Sequence, residues 1–220
     1  MSTKSSSVFT EMINEGHSDL NSNDVIELPF FNNKECEKLI KYADKKEKHF
    51  IKKDNDDLAT SFYSKDQITA NFNQYNFFRD NPTYINRFLT ITKEILSWLK
   101  YPIAVQGWVN IYKTGEGLGW HNHAGLTGHS YTANIFLGGE TQPGIIYTEP
   151  GQNSITIKNK VGAMLLSNCY MWHKVPLNES NVFRYSIGIT IHDYEAITNQ
   201  LLLAACFNAP HKGVILLKNE

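Results

Sequence analysis

Residues 119–125 read GWHNHAG and place two histidines, His121 and His123, two positions apart. An extended backbone sends residues i and i+2 to the same face, so both imidazoles can point at one spot. His173 lies far downstream in another short apolar run. Three neutral imidazoles from two facing strands would hold a divalent metal with open positions, as expected for mononuclear non-haem iron. The alternative is a polar strand edge or solvated loop with incidental histidines.

Arg184 and Ser186 add a second kind of chemistry. Ten residues separate His173 from Arg184, and Ser186 follows two positions later, on the same face of a strand. A buried arginine keeps its proton and therefore needs an anionic partner. Its fork can donate two parallel hydrogen bonds to a carboxylate, and a serine hydroxyl can add a third. The pair could thus clamp the far end of a dicarboxylate, whereas the alternative is a surface arginine paired with an acidic residue.

Composition bounds the class of protein that carries these residues. The chain has 220 residues, 41% of them hydrophobic and 20% charged, which predicts one globular domain with a sizeable core. The net charge of −1 gives no global attraction to nucleic acid or anionic membrane. No apolar run is long enough for a transmembrane helix, and the polar start of the chain does not resemble a secretion signal. Three widely spaced cysteines indicate free thiols in a reducing compartment, and we expect a cytoplasmic protein.

The elements that must position the site follow from the pattern along the chain. We expect a flexible tail over residues 1–23 and a single domain over residues 24–220. Its first part, 24–100, should supply a strand and two amphipathic helices that support the rest. Short apolar runs separated by Gly, Pro and Asn over 101–192 predict an antiparallel sandwich or barrel, and 193–220 a closing helix and strand. The irregular, aromatic and Asn-rich segment 58–80 is a candidate lid or substrate-facing insert.

The order of these motifs resembles a known family. The order is H-x-H at 121–123, then His173, ten residues, and R-x-S at 184–186. It is similar to that of the 2-oxoglutarate and Fe(II)-dependent oxygenase superfamily, whose pattern is H-x-D…H followed by about ten residues and R-x-S. The phrase WVNIYKTGEGLGWHNHAG resembles a subgroup that carries H-x-H, and VIELPFFNNKECEKLIKYA resembles the N-terminus of prolyl hydroxylases. The resemblance covers roughly residues 25–192.

The resemblance implies a double-stranded β-helix (jelly roll, cupin-like) with α+β organisation, its β core flanked by N-terminal helices. Iron(II) would be held by His121 and His173, with O2 as oxidant and ascorbate as a further expected cofactor. The co-substrate 2-oxoglutarate would be bound by Arg184 and Ser186, with contacts from two polar strand residues, Tyr112 and Asn134. The implied reaction converts 2-oxoglutarate to succinate and CO2 and hydroxylates an unactivated C–H bond.

His123 departs from the family pattern, which has Asp at this position. Three outcomes are open: His123 is a third ligand, it swings away and leaves the position to water or a halide, or the site is inactive. The pocket candidates are Trp120, Trp172 and His129, with core packing or a solvent role as the alternative for each. His192 ends the last core strand and is expected at the surface.

Two other functions stay open. Three histidines also suit thiol dioxygenases, which need no 2-oxoglutarate, although Arg184 and Ser186 argue against them. The protein could also be a non-catalytic β-sandwich with a binding or structural role, in which the histidines would be incidental. For an oxygenase, the resemblance to prolyl hydroxylases slightly favours a peptidyl side chain as substrate, with a free amino acid, a small metabolite or a nucleobase as alternatives.

Overall fold

The computed structural model describes residues 25–51, 75–95, 103–123, 130–148, 153–193 and 214–217. In these ranges the chain forms three helices and ten strands. The helices are α1 (Asn33–Ile51), α2 (Phe77–Asp80) and α3 (Thr83–Ile95). The strands are β1 (Val25–Pro29), β2 (Ile103–Tyr112), β3 (Leu118–His121), β4 (Ser130–Gly139), β5 (Ile145–Thr148), β6 (Ile155–Ile157), β7 (Ala163–Asn168), β8 (Trp172–Val175), β9 (Arg184–Asp193) and β10 (Val214–Leu217).

The strands form two antiparallel sheets. The large sheet has the order β1-β7-β4-β9-β2-β10, and the small sheet has the order β3-β8-β5-β6. Because the chain alternates between the sheets, β2 and β9 lie side by side although 71 residues separate Tyr112 from Arg184, which register with each other across the ladder. The short apolar runs therefore build the predicted mainly-β core, and β2 coincides with the run IAVQGWVNIY.

The large sheet is apolar on the face toward the helices and carries its buried polar side chains on the other face. Isoleucines of β9 at 187, 189 and 191 are fully buried and face the helices, packing with Phe77, Phe88 and Leu39. The alternate residues of the same strand, Arg184, Ser186 and Thr190, are also buried but face the small sheet. The helices thus cover one face, and the space between the sheets holds these polar side chains together with smaller apolar clusters, such as Tyr112 with Leu118 and Val175.

Helix α1 begins with a capping box. The side chain of Asn32 accepts a hydrogen bond from the N–H of Glu35 at 3.0 Å, and Glu35 accepts one from the N–H of Asn32 at 3.0 Å. Arg87 of α3 then donates to both carboxylate oxygens of Glu35, at 3.0 and 2.8 Å. This pair joins the two helices that cover the large sheet.

Residues 75–80 are not part of a lid, which corrects the prediction for that end of segment 58–80. Phe77 and Phe78 are buried, and Asn76 donates to the carbonyl oxygen of Val105 on β2 at 3.0 Å. The N–H of Val109 donates to the Tyr75 hydroxyl at 2.7 Å. The aromatic residues of this stretch therefore fasten the helical layer to β2.

Other expectations fall on parts of the chain that the structure does not describe. They are the tail 1–23, the remainder of the candidate lid over 58–74, the closing helix over 194–206, and His129. The division into a support region, a β core and a closing segment stays a prediction. Within the described ranges, no helix is both long and apolar enough to cross a membrane.

Candidate metal centre

Three histidines converge between the sheets. His121 at the end of β3 registers directly with His173 on β8, and the centroids of their rings lie 4.2 Å apart. His123 lies two residues beyond His121, and its ring is 5.3 Å from that of His121 and 5.2 Å from that of His173. One nitrogen from each ring can be chosen so that all three lie within 4.8 Å of one another. This spacing suits three ligands of one ion, and ligation by His123 stays a prediction.

Backbone carbonyls orient two of the rings. The Nδ1 atom of His121 lies 2.8 Å from the carbonyl oxygen of Gly119, and Nδ1 of His173 lies 3.2 Å from that of Met171. A carbonyl oxygen only accepts, so each Nδ1 carries the proton and each Nε2 keeps its lone pair. Fixing the tautomer through the distal nitrogen is the usual arrangement around a histidine-ligated metal.

The environment keeps the three imidazoles neutral. Burial, with a further contribution from His121, lowers the pKa of His173 to about 3. Burial also lowers the pKa of His121, and it places the pKa of His123 well below its usual value, assisted by the charges that His173 and His121 would carry. A neutral imidazole is the metal-binding form, because protonation would consume the lone pair.

The cavity beside the histidines is bounded by both sheets. Trp108, Asn110 and Tyr112 enter it from β2, Asn134 enters from β4, and Tyr147 from β5. The remaining lining consists of Leu118, Thr132, Ala133, Ile145, Ser167, Val175 and Gly188 together with His121, His123 and His173. Two of the predicted co-substrate contacts, Tyr112 and Asn134, are therefore in the same cavity as the histidines.

Ser186 lies one layer behind this lining. The side-chain amides of Asn110 and Asn134 both donate to its Oγ, each at 3.3 Å. With its lone pairs occupied from two neighbouring strands, the hydroxyl retains its own hydrogen to donate. Asn110 is not among the residues predicted from the sequence, although it lies two positions before Tyr112 on the same face of β2.

Arg184 is buried at the start of β9 and is only 2% exposed. Its Nη1 donates to the carbonyl oxygen of Pro176 at 3.1 Å and its Nη2 to that of Gln142 at 3.3 Å, whereas its Nε has no hydrogen-bond partner. Burial lowers its pKa, partly offset by Tyr112 and Glu140. Arginine nevertheless stays charged in proteins, so the side chain is a buried cation without a carboxylate at bonding distance among the described residues.

Glycine allows the chain to close around Arg184. Gly139, which registers with Arg184, has φ +91°, and a Cβ there would lie 1.7 Å from the carbonyl oxygen of Phe183. On the other side, the Asn178 side chain donates to the carbonyl oxygens of Tyr112 and Val182, both at 2.9 Å. The segment that leads into Arg184 is thus fixed to the end of β2.

Three sequence expectations need correction or fall outside the structure. Trp120 and Trp172 do not line the cavity and are 36% and 37% exposed, because they neighbour His121 and His173 and alternation turns them to the opposite face. His192 is not at the surface: it is half-buried on the same face of β9 as Ser186, and its charge would act on His123. His129 lies outside the described residues.

Comparison with known proteins gives the fold independently. No family model matches the chain, and no curated protein matches it. Among solved structures, a prolyl-4-hydroxylase from Pseudomonas putida is similar over 83% of this chain and 94% of its own, with a TM-score of 0.54 and 12% identity.

Two enzymes of nogalamycin biosynthesis are also similar, each described as non-haem and α-ketoglutarate-dependent. The epimerase SnoN aligns with a TM-score of 0.59 and 11% identity over 84% of this chain and 83% of its own. The carbocyclase SnoK aligns with a TM-score of 0.59 and 12% identity over 90% of this chain and 93% of its own. At such low identity these likenesses show the fold, a double-stranded β-helix, and confirm the predicted fold class.

Proposed function

We propose that this protein is an Fe(II)- and 2-oxoglutarate-dependent oxygenase that hydroxylates a C–H bond of its substrate. The observation that carries the proposal is the combination of three converging neutral histidines with a buried arginine, Arg184, which has an unpartnered Nε and lies outside the lining of the histidine cavity. Neither feature is needed for the core, because the helices cover the apolar face of the large sheet. The histidines suit a metal ion, and the arginine suits the carboxylate of a ligand bound to that ion.

The residues present fit both groups. Imidazole nitrogen is a good ligand for Fe(II), and three of them leave other positions free for a chelating co-substrate and O2. The guanidinium of Arg184 can donate charge-assisted hydrogen bonds to the distal carboxylate of 2-oxoglutarate, and the hydroxyl of Ser186 can donate a neutral one. When bound, Fe(II) would activate O2, which is the oxidant: one oxygen atom would go to the substrate and the other into succinate, as 2-oxoglutarate is oxidised and loses CO2.

The chain's own contribution is binding, orientation and exclusion of water. His121 and His173 are pre-oriented by the Gly119 and Met171 carbonyls, so the metal meets ligands that need little rearrangement. Tyr147, which is 2% exposed and lies 5.6 Å from the ring of His173, shields that ligand from solvent. A preformed, water-poor site of this kind favours reaction at the bound substrate over side reactions.

Hydroxylation is the finer part of the proposal, as is a peptidyl substrate. The similar structures are described as a hydroxylase, an epimerase and a carbocyclase, so one fold carries several outcomes. Similarity to the prolyl-4-hydroxylase supports a peptidyl side chain as the substrate to test first. Ascorbate belongs in those assays as the expected additional reductant.

Anaerobic titration tests the centre before any substrate is known. Fe(II) and then 2-oxoglutarate are added, and visible absorption is recorded for the charge-transfer band of an iron-bound 2-oxo acid. We expect one equivalent of iron, a band on adding 2-oxoglutarate, and loss of both in His173→Ala. His49→Ala, which removes an exposed histidine on α1, should leave both unchanged.

The other outcomes separate the alternatives. Iron binding without a band would refute the role of 2-oxoglutarate and favour a three-histidine thiol dioxygenase. Failure to bind iron would refute the oxygenase and favour a non-catalytic β-sandwich.

A further inference from the structure

Trp108 and Gly188 face each other across β2 and β9. They are partners in the register of the two strands. A Cβ atom built on Gly188 would lie 2.7 Å from Cε2, 2.8 Å from Cζ2 and 2.9 Å from Nε1 of Trp108. The indole therefore lies directly against the backbone of β9, where any side chain at position 188 would displace it. Trp108 is 7% exposed, so this contact fixes a buried ring.

The same indole contacts His123. The two ring centroids lie 6.2 Å apart at an angle of 38°. The imidazole of His123 also stacks with that of His173, with the ring centroids 5.2 Å apart and an angle of 13° between the rings. The ring of His123 thus neighbours both the indole of Trp108 and another candidate ligand.

The three histidines are oriented by different means. His121 and His173 each have Nδ1 against the carbonyl oxygen of the residue two positions earlier. His123 lies past the end of β3, and its backbone N–H donates to the carbonyl oxygen of Cys169 at 2.9 Å. That bond fixes the main chain but leaves both side-chain torsions of an imidazole to be set by packing.

We propose that Trp108, seated on Gly188, is the positioning residue that directs the imidazole of His123 to the point shared by His121 and His173. The inference rests on the metal centre of the proposed function and extends it to residues that do not touch the metal. It also accounts for His123 at a position where the resembling family has Asp. An imidazole is bulkier than a carboxylate and offers one coordinating nitrogen, so a packed neighbour is needed to fix the orientation of its ring.

Cobalt(II) tests this role, because its visible spectrum reports the number and arrangement of ligands without turnover. Trp108→Leu removes the indole, and Gly188→Ala displaces it by occupying its seat. Each should weaken Co(II) binding by about 10- to 100-fold, the usual effect of losing an outer partner of a ligating histidine. Each should also shift the Co(II) spectrum to that of His123→Ala.

Gly107→Ala is the matched control. Gly107 is the neighbour of Trp108 on β2, and a Cβ there would meet Phe78 at 3.2 Å on the helix-facing side. The change perturbs the same strand by one methyl group but on the face away from the metal. We expect its Co(II) affinity and spectrum to match those of the unaltered protein.

A second background keeps the test decisive if single variants lose stability. In His123→Ala protein, adding Trp108→Leu should change Co(II) affinity by less than about twofold, because the ligand that Trp108 positions is gone. Equal losses in both backgrounds would show general packing and overturn the inference. Unchanged Co(II) binding in His123→Ala alone would also overturn it, while leaving the proposed oxygenase intact. Absence of Co(II) and Fe(II) binding by the unaltered protein would overturn both.

Discussion

Replacing Arg184 by methionine should abolish recognition of the distal carboxylate of 2-oxoglutarate while leaving the metal ligands in place. Methionine keeps a straight apolar stem of similar length but removes the charge and all donors. Arg184 donates to the carbonyl oxygens of Pro176 and Gln142 and makes no hydrogen bond to the three histidines, so Fe(II) binding should be unchanged. The effect should appear in the affinity for the co-substrate alone.

The magnitude follows from the donors that Arg184 can offer. Its Nε is unpartnered, and each Nη uses one hydrogen on a backbone carbonyl. Two charge-assisted bonds to a carboxylate are then available, each worth about 1.5–3 kcal/mol. The loss of about 3–6 kcal/mol corresponds to a rise in Kd for 2-oxoglutarate of roughly 10²- to 10⁴-fold.

Calorimetry on the anaerobic Fe(II) protein measures this effect. Titration with 2-oxobutanoate, which has the same keto-acid end but no distal carboxylate, supplies the reference ligand. The unaltered protein should prefer 2-oxoglutarate strongly, and Arg184→Met should bind the two ligands alike. Arg87→Met removes an arginine that pairs with Glu35 in the helical layer and should keep the preference. An Arg184→Met protein that still discriminates the two ligands as the unaltered protein does would refute the assignment.

Three further predictions concern stability and the buried thiols. Arg87 holds the pKa of the Glu35 carboxyl below its usual value. The pair therefore stabilises the fold above about pH 4.5, and its contribution is lost as the pH falls through the folded-state pKa. In urea denaturation, Glu35→Gln should lower the free energy of unfolding by about 1 kcal/mol near pH 7 and by much less near pH 3. Cys36 and Cys169 are buried, and burial raises the pKa of Cys36 to about 11, so mass spectrometry should find both unmodified by iodoacetamide in native protein and alkylated in urea. Gly162 has φ +78° and a Cβ there would lie 2.0 Å from the Phe31 carbonyl oxygen, so Gly162→Ala should cost at least ~2 kcal/mol in the same denaturation assay; an unchanged midpoint would contradict this.

The sequence pattern is informative wherever local periodicity decides the structure. The run IAVQGWVNIY forms β2, and the alternation in FRYSIGITI correctly separates a polar from an apolar face of β9. The same alternation accounts for the three residues whose predicted positions are wrong. Trp120 and Trp172 neighbour ligands and therefore face away from the cavity, and His192 has the parity of Ser186 and therefore faces inward.

Long-range contacts account for the remaining differences. Tyr75 and Asn76 look like part of an irregular insert, yet their side chains bind the backbone of β2 some thirty residues later in the chain, at Val109 and Val105. The orientation of His123 is a similar case. The i, i+2 rule applies within a strand, but β3 ends at His121, and the packing of Trp108 on Gly188 becomes visible only when β2 and β9 are paired.

The large sheet packs its most apolar face against the helices and not against the small sheet, and this has a consequence for which substitutions the protein can accept. Its stability is drawn mainly from the contact between helices and the outer face, where the isoleucines of β9 meet the phenylalanines of α2 and α3. Substitutions on the inner face can therefore alter the chemistry of the site without opening cavities in the main hydrophobic core. Position 123 illustrates this separation, because His123 is not part of the cluster of isoleucine and phenylalanine side chains that joins the helices to the sheet.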